Sequence, residues 1–154
     1  MTQPAHVDTY RGSVYPWECD QNGHLNVQHY VAKFDQATWL MFSHLGIDRA
    51  LCTREKRSMM GLSQNIVYKR ELFPGDVIAV RTRVKEMTDK RVRMIHTMCD
   101  FLTGEVSAEM ELLAVHVDLT TRKSIPFPPS VAERGRALAP GASAPGAPAP
   151  GASA

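Results

Sequence analysis

Apolar side chains recur every three or four residues along the segment from Val27 to Leu45. That spacing places them on one face of an amphipathic α-helix. The face comprises Val27, Tyr30, Val31, Phe34, Ala37, Met41, Phe42 and Leu45. Asn26 stands at the N-cap position, and Gly46 stands where a glycine commonly ends a helix. The pattern therefore predicts a helix of about nineteen residues, roughly 28 Å long, that needs a broad apolar surface to pack against.

Outside this segment the pattern becomes an alternation of apolar and polar residues. Residues 9–15 contain β-branched and aromatic side chains and stop at a proline, which predicts a first strand. Four more strands are predicted at 62–72, 77–87, 91–102 and 106–119, separated by turns that contain Pro, Gly or Asp. The last three form an antiparallel meander with one apolar face. The intervening residues 47–61 are predicted to be a connection.

Strand, loop, long helix and antiparallel strands together predict an α+β fold in which the sheet packs on the helix. A chain of 154 residues suits a single hydrophobic core. The domain is predicted to occupy residues 1–134. Residues 135–154 are rich in Pro, Gly, Ala and Ser and are predicted to form a disordered tail, because they cannot bury enough apolar surface to offset chain entropy.

Composition and charge exclude several classes of function. The net charge of +2 is small and the basic residues are dispersed, so no nucleic-acid partner is expected. Cys19, Cys52 and Cys99 have no metal-ligand spacing and are odd in number, which favours a reducing cytoplasm over a metal site or a disulfide framework. Neither a signal-peptide pattern nor a bilayer-length apolar run is present, so no membrane association is expected.

A dense group of polar residues directly precedes the predicted helix. Asp20, His24 and Asn26 lie close together, and Tyr30 follows one turn later. Polar side chains are costly to bury unless paired, so such a group is a candidate site. Each residue also has a structural alternative: a turn aspartate, a loop-holding histidine, a helix cap and a core tyrosine. Cys19 is expected to be a small buried residue, because a neighbouring carboxylate raises the pKa of a thiol.

The polar residues have the spacing Asp20-x-x-Gly23-His24-x-Asn26-x-x-x-Tyr30. This motif resembles the signature of acyl-CoA thioesterases of the 4-hydroxybenzoyl-CoA thioesterase type. Those proteins have the hotdog fold, in which a curved antiparallel sheet wraps a long central helix. The resemblance covers roughly residues 10–128, and its Gly-His-x-Asn form is similar to that of the long-chain acyl-CoA branch.

The resemblance implies roles for the polar residues. Asp20 occupies the place of the catalytic carboxylate, which acts as nucleophile or as general base through a water. The N–H of Val27, in the first helical turn, stands where the family polarises the thioester carbonyl. His24 and Asn26 are expected to assist catalysis. The implied reaction is hydrolysis of an acyl-CoA to a carboxylic acid and CoA, without a cofactor or a metal.

The resemblance also implies how substrate binds. Gly23 lets the backbone approach the thioester, and Val27 and Tyr30 are expected to contact the acyl-CoA. Related proteins assemble as homodimers or homotetramers with sites at the subunit interface. The alternative is a non-catalytic acyl-CoA-binding module, since hotdog domains also serve that purpose.

Overall fold

The computed structural model describes residues 5–140. The strands are β1 (Val7–Ser13), β2 (Arg57–Tyr68), β3 (Val77–Met87), β4 (Arg91–Asp100) and β5 (Val106–Asp118). The helices are α1 (Val27–Leu45), α2 (Arg49–Arg54) and α3 (Pro129–Leu138), with a 3-10 turn at Pro16–Glu18. The strands form one antiparallel sheet in the order β1-β3-β4-β5-β2, and α1 shares its core. This confirms the predicted α+β fold. Among residues 5–140, no helix has the length and apolar character needed to cross a membrane.

Helix α1 has the predicted bounds and both predicted caps. The Asn26 side chain accepts a hydrogen bond from the Gln28 N–H at 3.0 Å. Gly46 has φ +94°, a left-handed conformation that favours glycine, and its N–H closes the last turn. The predicted apolar face was wrong at Val27 and Val31, which are exposed. The buried face consists of Tyr30, Lys33, Phe34, Ala37, Thr38, Met41, Phe42 and Leu45.

The predicted meander of β3, β4 and β5 is confirmed, with β3 at its predicted bounds. The neighbouring strand β2 starts and ends earlier than the alternation predicted, and it pairs with β5. Its pairing ends because the N–H groups of Lys69 and Arg70 both turn onto the Ser107 carbonyl, at 2.9 and 3.1 Å. The last residues of the predicted strand therefore form a bend that leads away from the sheet.

Residues 47–61, predicted to be a connection, contain regular structure. Asp48 caps a short helix, α2, by accepting a hydrogen bond from the Leu51 N–H at 2.9 Å. Strand β2 then begins directly after it, at Arg57. Aspartate at an N-cap position is a local signal, but the six-residue helix is too short to show an apolar period.

Helix α3 crosses the predicted domain boundary at residue 134 and continues to Leu138. Pro129 starts this helix, because proline at the first helical position loses no hydrogen bond. Val131 and Ala132 bury against the core. Gly135 lies over Met87, so close that an added Cβ would stand 1.8 Å from the sulfur. The remainder of the predicted tail, 141–154, lies outside the described residues.

A buried polar chain crosses the core between α1 and the sheet. His96 is fully buried; its Nδ1 lies 2.7 Å from the Thr82 hydroxyl and its Nε2 lies 3.3 Å from the Thr38 hydroxyl. The Thr82 hydroxyl continues the chain to the Thr9 hydroxyl at 2.7 Å. Burial lowers the pKa of His96 from its usual 6.5 to about 4. The imidazole is therefore neutral in the folded protein near pH 7.

Stability is expected to fall as the pH drops from about 6.5 to about 4. In this interval the unfolded chain binds a proton at His96 and the folded chain does not, so stability present above the window is lost within it. The loss is roughly 3 kcal/mol of the free energy of unfolding. It is measured by denaturant unfolding of the wild type and His96→Gln across the window.

Other titrating groups are common to both proteins and cancel in the difference between them. His44→Gln, on the exposed side of α1, is the matched control and should follow the wild type. A difference between the wild type and His96→Gln that is constant across the window would contradict the prediction.

Candidate active site

The loop before α1 is a tight turn. Cys19 and Leu25 form an isolated antiparallel bridge, and inside it the Asp20 N–H donates to the His24 carbonyl at 3.1 Å. The Gly23 N–H donates back to the Asp20 carbonyl at 3.0 Å. Gly23 has φ +81°, which explains glycine at this position, and no atom lies within 4 Å of an added Cβ. The turn therefore has open space beside Gly23.

Buried charges anchor the start of this loop to α1. The Lys33 ammonium lies 2.7 Å from the Glu18 carboxylate, and both side chains are largely buried. The Glu18 carboxylate also accepts the Tyr15 N–H at 2.9 Å. Burial alone would raise the pKa of Glu18, but the hydrogen bonds from Lys33 and Tyr15 outweigh it, so the pKa lies below its usual value. The Glu18 carbonyl then accepts the Asn26 N–H at 3.0 Å, which ties the loop to the helix start.

Asn26 joins the helix end to the Asp20 carboxylate. Its Oδ1 accepts from the Gln28 N–H, and its Nδ2 donates to Asp20 Oδ2 at 3.2 Å. The other Asp20 oxygen, Oδ1, accepts from the Asn22 N–H at 2.9 Å. The turn alternative for Asp20 and the cap alternative for Asn26 are both present. Neither excludes a catalytic role, because the same contacts hold the carboxylate beside the helix N-terminus.

The N-terminus of α1 retains a free donor. The Gln28 N–H bonds the Asn26 side chain, and the His29 N–H bonds the Asn26 carbonyl at 2.9 Å. Among the described residues, the Val27 N–H has no hydrogen-bond partner. The first turn of α1 contains no acidic residue of its own. A free N–H at the positive end of a helix can therefore polarise a carbonyl oxygen placed against it.

An open cleft of about 260 Å³ lies between this helix start and the chain after β2. Tyr30 is buried in its wall, donates its hydroxyl to the Arg70 carbonyl at 3.3 Å and meets Tyr68 edge-on with ring centroids 5.1 Å apart. Burial, and to a lesser extent the neighbouring Tyr68 and Glu71, raises the pKa of Tyr30 to about 12. The cleft is lined by His24, Leu25, Val27, Tyr30, Tyr68, Lys69, Arg70 and Glu71.

The structure brings three of the predicted site residues, His24, Val27 and Tyr30, into the cleft wall. The other three, Asp20, Gly23 and Asn26, lie in the adjoining turn and do not line it. His24 Nε2 stands 3.6 Å from the carboxylate of Glu71, which also lines the cleft.

Sequence reasoning missed Tyr68 and Glu71. They lie some forty positions after the motif and reach the helix start because β2 pairs with β5 and then bends toward α1. No local pattern signals that approach.

Cys19 is not suited to act as a nucleophile. Partial burial, together with the carboxylates of Asp20 and Glu18, raises the pKa of its thiol. The thiolate is the reactive form of cysteine, and this environment opposes it.

Comparison with known proteins identifies the family. Residues 14–135 match the model of the thioesterase-like superfamily. A betainyl-CoA thioesterase of Pseudomonas aeruginosa is 30% identical over 133 residues, covering 86% of this chain and 84% of that protein. An L-carnitine dehydrogenase/betainyl-CoA thioesterase of Agrobacterium fabrum is 29% identical over 112 residues, which are 73% of this chain and 23% of that longer protein.

Solved structures agree with the fold. A candidate thioesterase from Pseudomonas putida has a TM-score of 0.75 and 28% identity, with 97% of each chain covered. A Staphylococcus aureus protein solved in complex with CoA has a TM-score of 0.77 and 22% identity, with 86% of this chain and 81% of that chain covered. The chain therefore belongs to the thioesterase-like superfamily and is a thioesterase of the hotdog fold.

Proposed function

We propose that the protein hydrolyses a small acyl-CoA thioester at the cleft between the α1 N-terminus and the end of β2. The observation that carries this proposal is the free Val27 N–H at a helix start whose cap, Asn26, also holds the Asp20 carboxylate. A donor for the developing oxyanion and a carboxylate for the attack are the two groups that thioester hydrolysis requires.

The chemistry uses these groups in turn. The carbonyl oxygen accepts the Val27 N–H, which makes the carbonyl carbon more electrophilic. Asp20 either attacks that carbon, giving a mixed anhydride that water cleaves, or takes a proton from a water that attacks it. CoA leaves as a thiolate and is protonated to the thiol, and the acyl group leaves as the carboxylic acid. Because a thiolate is a good leaving group, no strong general acid is needed.

The size of the cleft supports a small acyl group. Its volume in the single chain, about 260 Å³, is enough to hold a small acyl group. The relatives from Pseudomonas aeruginosa and Agrobacterium fabrum are named for betainyl-CoA, whose acyl group has a single carbon between the carbonyl and a trimethylammonium. Betainyl-CoA is therefore the first substrate to test.

The three free cysteines, Cys19, Cys52 and Cys99, fit a cytoplasmic location.

A homodimer formed through β2 would complete this site. In the single chain β2 is a sheet edge of twelve residues, paired on one side with β5. Leu62, Val67 and Tyr68 are all about half exposed along it. A long edge strand with exposed apolar side chains is a template for pairing with another chain. Because Tyr68 ends β2 and lines the cleft, a partner on this edge would lie beside the cleft.

Replacing Asp20 by Asn should reduce kcat for betainyl-CoA by at least about 100-fold, since the amide can neither attack the carbonyl nor accept a proton from water. The measurement is release of free thiol. Asp89→Asn, in the exposed turn between β3 and β4, makes the same chemical change outside the site and should retain full activity. Near-normal turnover by a folded Asp20→Asn protein would exclude Asp20 from the reaction.

The two contacts of Asn26 can be separated with a pair of variants. Asn26→Ser keeps a capping oxygen for the Gln28 N–H, whereas Asn26→Ala removes it and should lower the free energy of unfolding by about 1 kcal/mol. Both variants remove the donor to Asp20, so both should lose activity to a similar extent. Thermal unfolding and thiol release give the two readouts. Full activity in Asn26→Ser would mean that Asn26 acts as a cap alone.

The β2 edge can be tested by placing a charge on it. Leu62→Lys should shift the mass measured by light scattering from dimer toward monomer and lower the thioesterase activity, because a lysine on an edge strand opposes pairing. Leu102→Lys, in the exposed turn between β4 and β5, is the control and should leave both unchanged. A fully active monomeric wild type would rule out the requirement for a dimer.

A further inference from the structure

We infer that the cleft binds a quaternary-ammonium acyl group, seated against the exposed ring of Tyr68 with the Glu71 carboxylate facing it. This inference rests on the proposed hydrolysis of a small acyl-CoA and assigns the residues that select its acyl group. A quaternary ammonium has no N–H to donate, so it is recognised by aromatic surfaces and negative charge rather than by hydrogen-bond acceptors.

Two tyrosine rings that contact each other line the cleft, and they differ in exposure. Tyr30 is almost completely buried and Tyr68 is about half exposed, and their planes meet at 77°. The Tyr30 hydroxyl is occupied by its hydrogen bond to the Arg70 carbonyl. This bond fixes the Tyr30 ring between α1 and the chain after β2. Tyr68, packed against this fixed ring, therefore supplies the exposed aromatic surface of the cleft, which a trimethylammonium can contact.

The charges around the cleft leave one carboxylate available. Lys69 and Arg70 also line it, but the Lys69 ammonium is paired with the Glu109 carboxylate. Arg70 Nη1 lies 3.3 Å from the Glu105 carboxylate. Among the described residues, no lysine or arginine pairs with the Glu71 carboxylate, and the His24 ring lies 3.6 Å from it, which is longer than a hydrogen bond. Glu71 is thus free to face a cationic ligand.

The position of Tyr68 matches a short acyl group. Val27, whose free N–H is the proposed oxyanion donor, lines the same small cleft as Tyr30, Tyr68 and Glu71. In a betainyl thioester one methylene separates the ammonium from the carbonyl. When the carbonyl oxygen lies on the Val27 N–H, the ammonium must therefore remain within this cleft. A longer acyl chain would carry its end beyond it.

The test compares betainyl-CoA with 3,3-dimethylbutyryl-CoA, in which a neutral carbon replaces the quaternary nitrogen at the same size and shape. The readout is the ratio of the two kcat/KM values, which cancels effects common to both substrates. The wild type should prefer the cationic thioester. Tyr68→Leu should lower the preference about tenfold, and Glu71→Gln, at a more exposed position, about threefold.

Two matched variants serve as controls. Tyr68→Phe removes the hydroxyl and keeps the ring. It should retain the preference, because the ring is the group that contacts the cation. Glu86→Gln removes one negative charge from a side chain 61% exposed, close to the 64% of Glu71, but on β3 and away from the cleft. It should leave the ratio unchanged.

The outcomes separate the two proposals. Hydrolysis of both thioesters with no preference for the cation, or a preference unchanged in Tyr68→Leu and Glu71→Gln, would overturn this inference and leave the proposed hydrolysis in place. Hydrolysis of neither would overturn the proposed function. Calorimetric titration of the wild type with both thioesters then decides the inference: tighter binding of betainyl-CoA supports it, and equal binding rejects it.

Discussion

The burial of one face of α1 against the sheet is the interaction on which the rest of the molecule depends. Phe34, Ala37, Met41 and Leu45 are completely buried, so the helix is held along three turns of its length. A rod fixed in this way has its N-terminus fixed as well. That end must stand beside the segment that follows β2, and the cleft is the space left between them. The location of the site is thus a consequence of core packing.

The chain itself satisfies only some of the backbone donors at the N-terminus of α1. The first N–H groups of a helix have no partners inside it, so they bond a capping group, water or a ligand. Asn26 satisfies the N–H of Gln28 with its side chain and the N–H of His29 with its carbonyl, and leaves that of Val27 free. A donor left free at an exposed helix end can be completed by a substrate carbonyl. The same asparagine orients Asp20, so capping and positioning are a single arrangement.

The features that the sequence predicted well depend on neighbours in the chain. The caps at Asn26 and Gly46 and the alternation along β3 are set within a few residues, and all three are present. The features that it missed depend on distant contacts. The approach of Tyr68 to Tyr30 needs the pairing of β2 with β5 and the bend that follows it, and neither leaves a local trace. For the same reason the motif located one wall of the candidate site and not the opposite one.

A buried polar group can specify a fold more narrowly than apolar residues can. His96 stands directly opposite Thr82 across β3 and β4, and its other nitrogen reaches Thr38 on α1. A slip of one residue between these strands would turn the imidazole to the other face of the sheet and leave both threonines without it. A rotation of α1 would break the contact to Thr38. The register of the sheet and the rotation of the helix are therefore coupled through one side chain. Since Thr38 and Tyr30 lie on the same buried face, this coupling also holds Tyr30 toward the cleft.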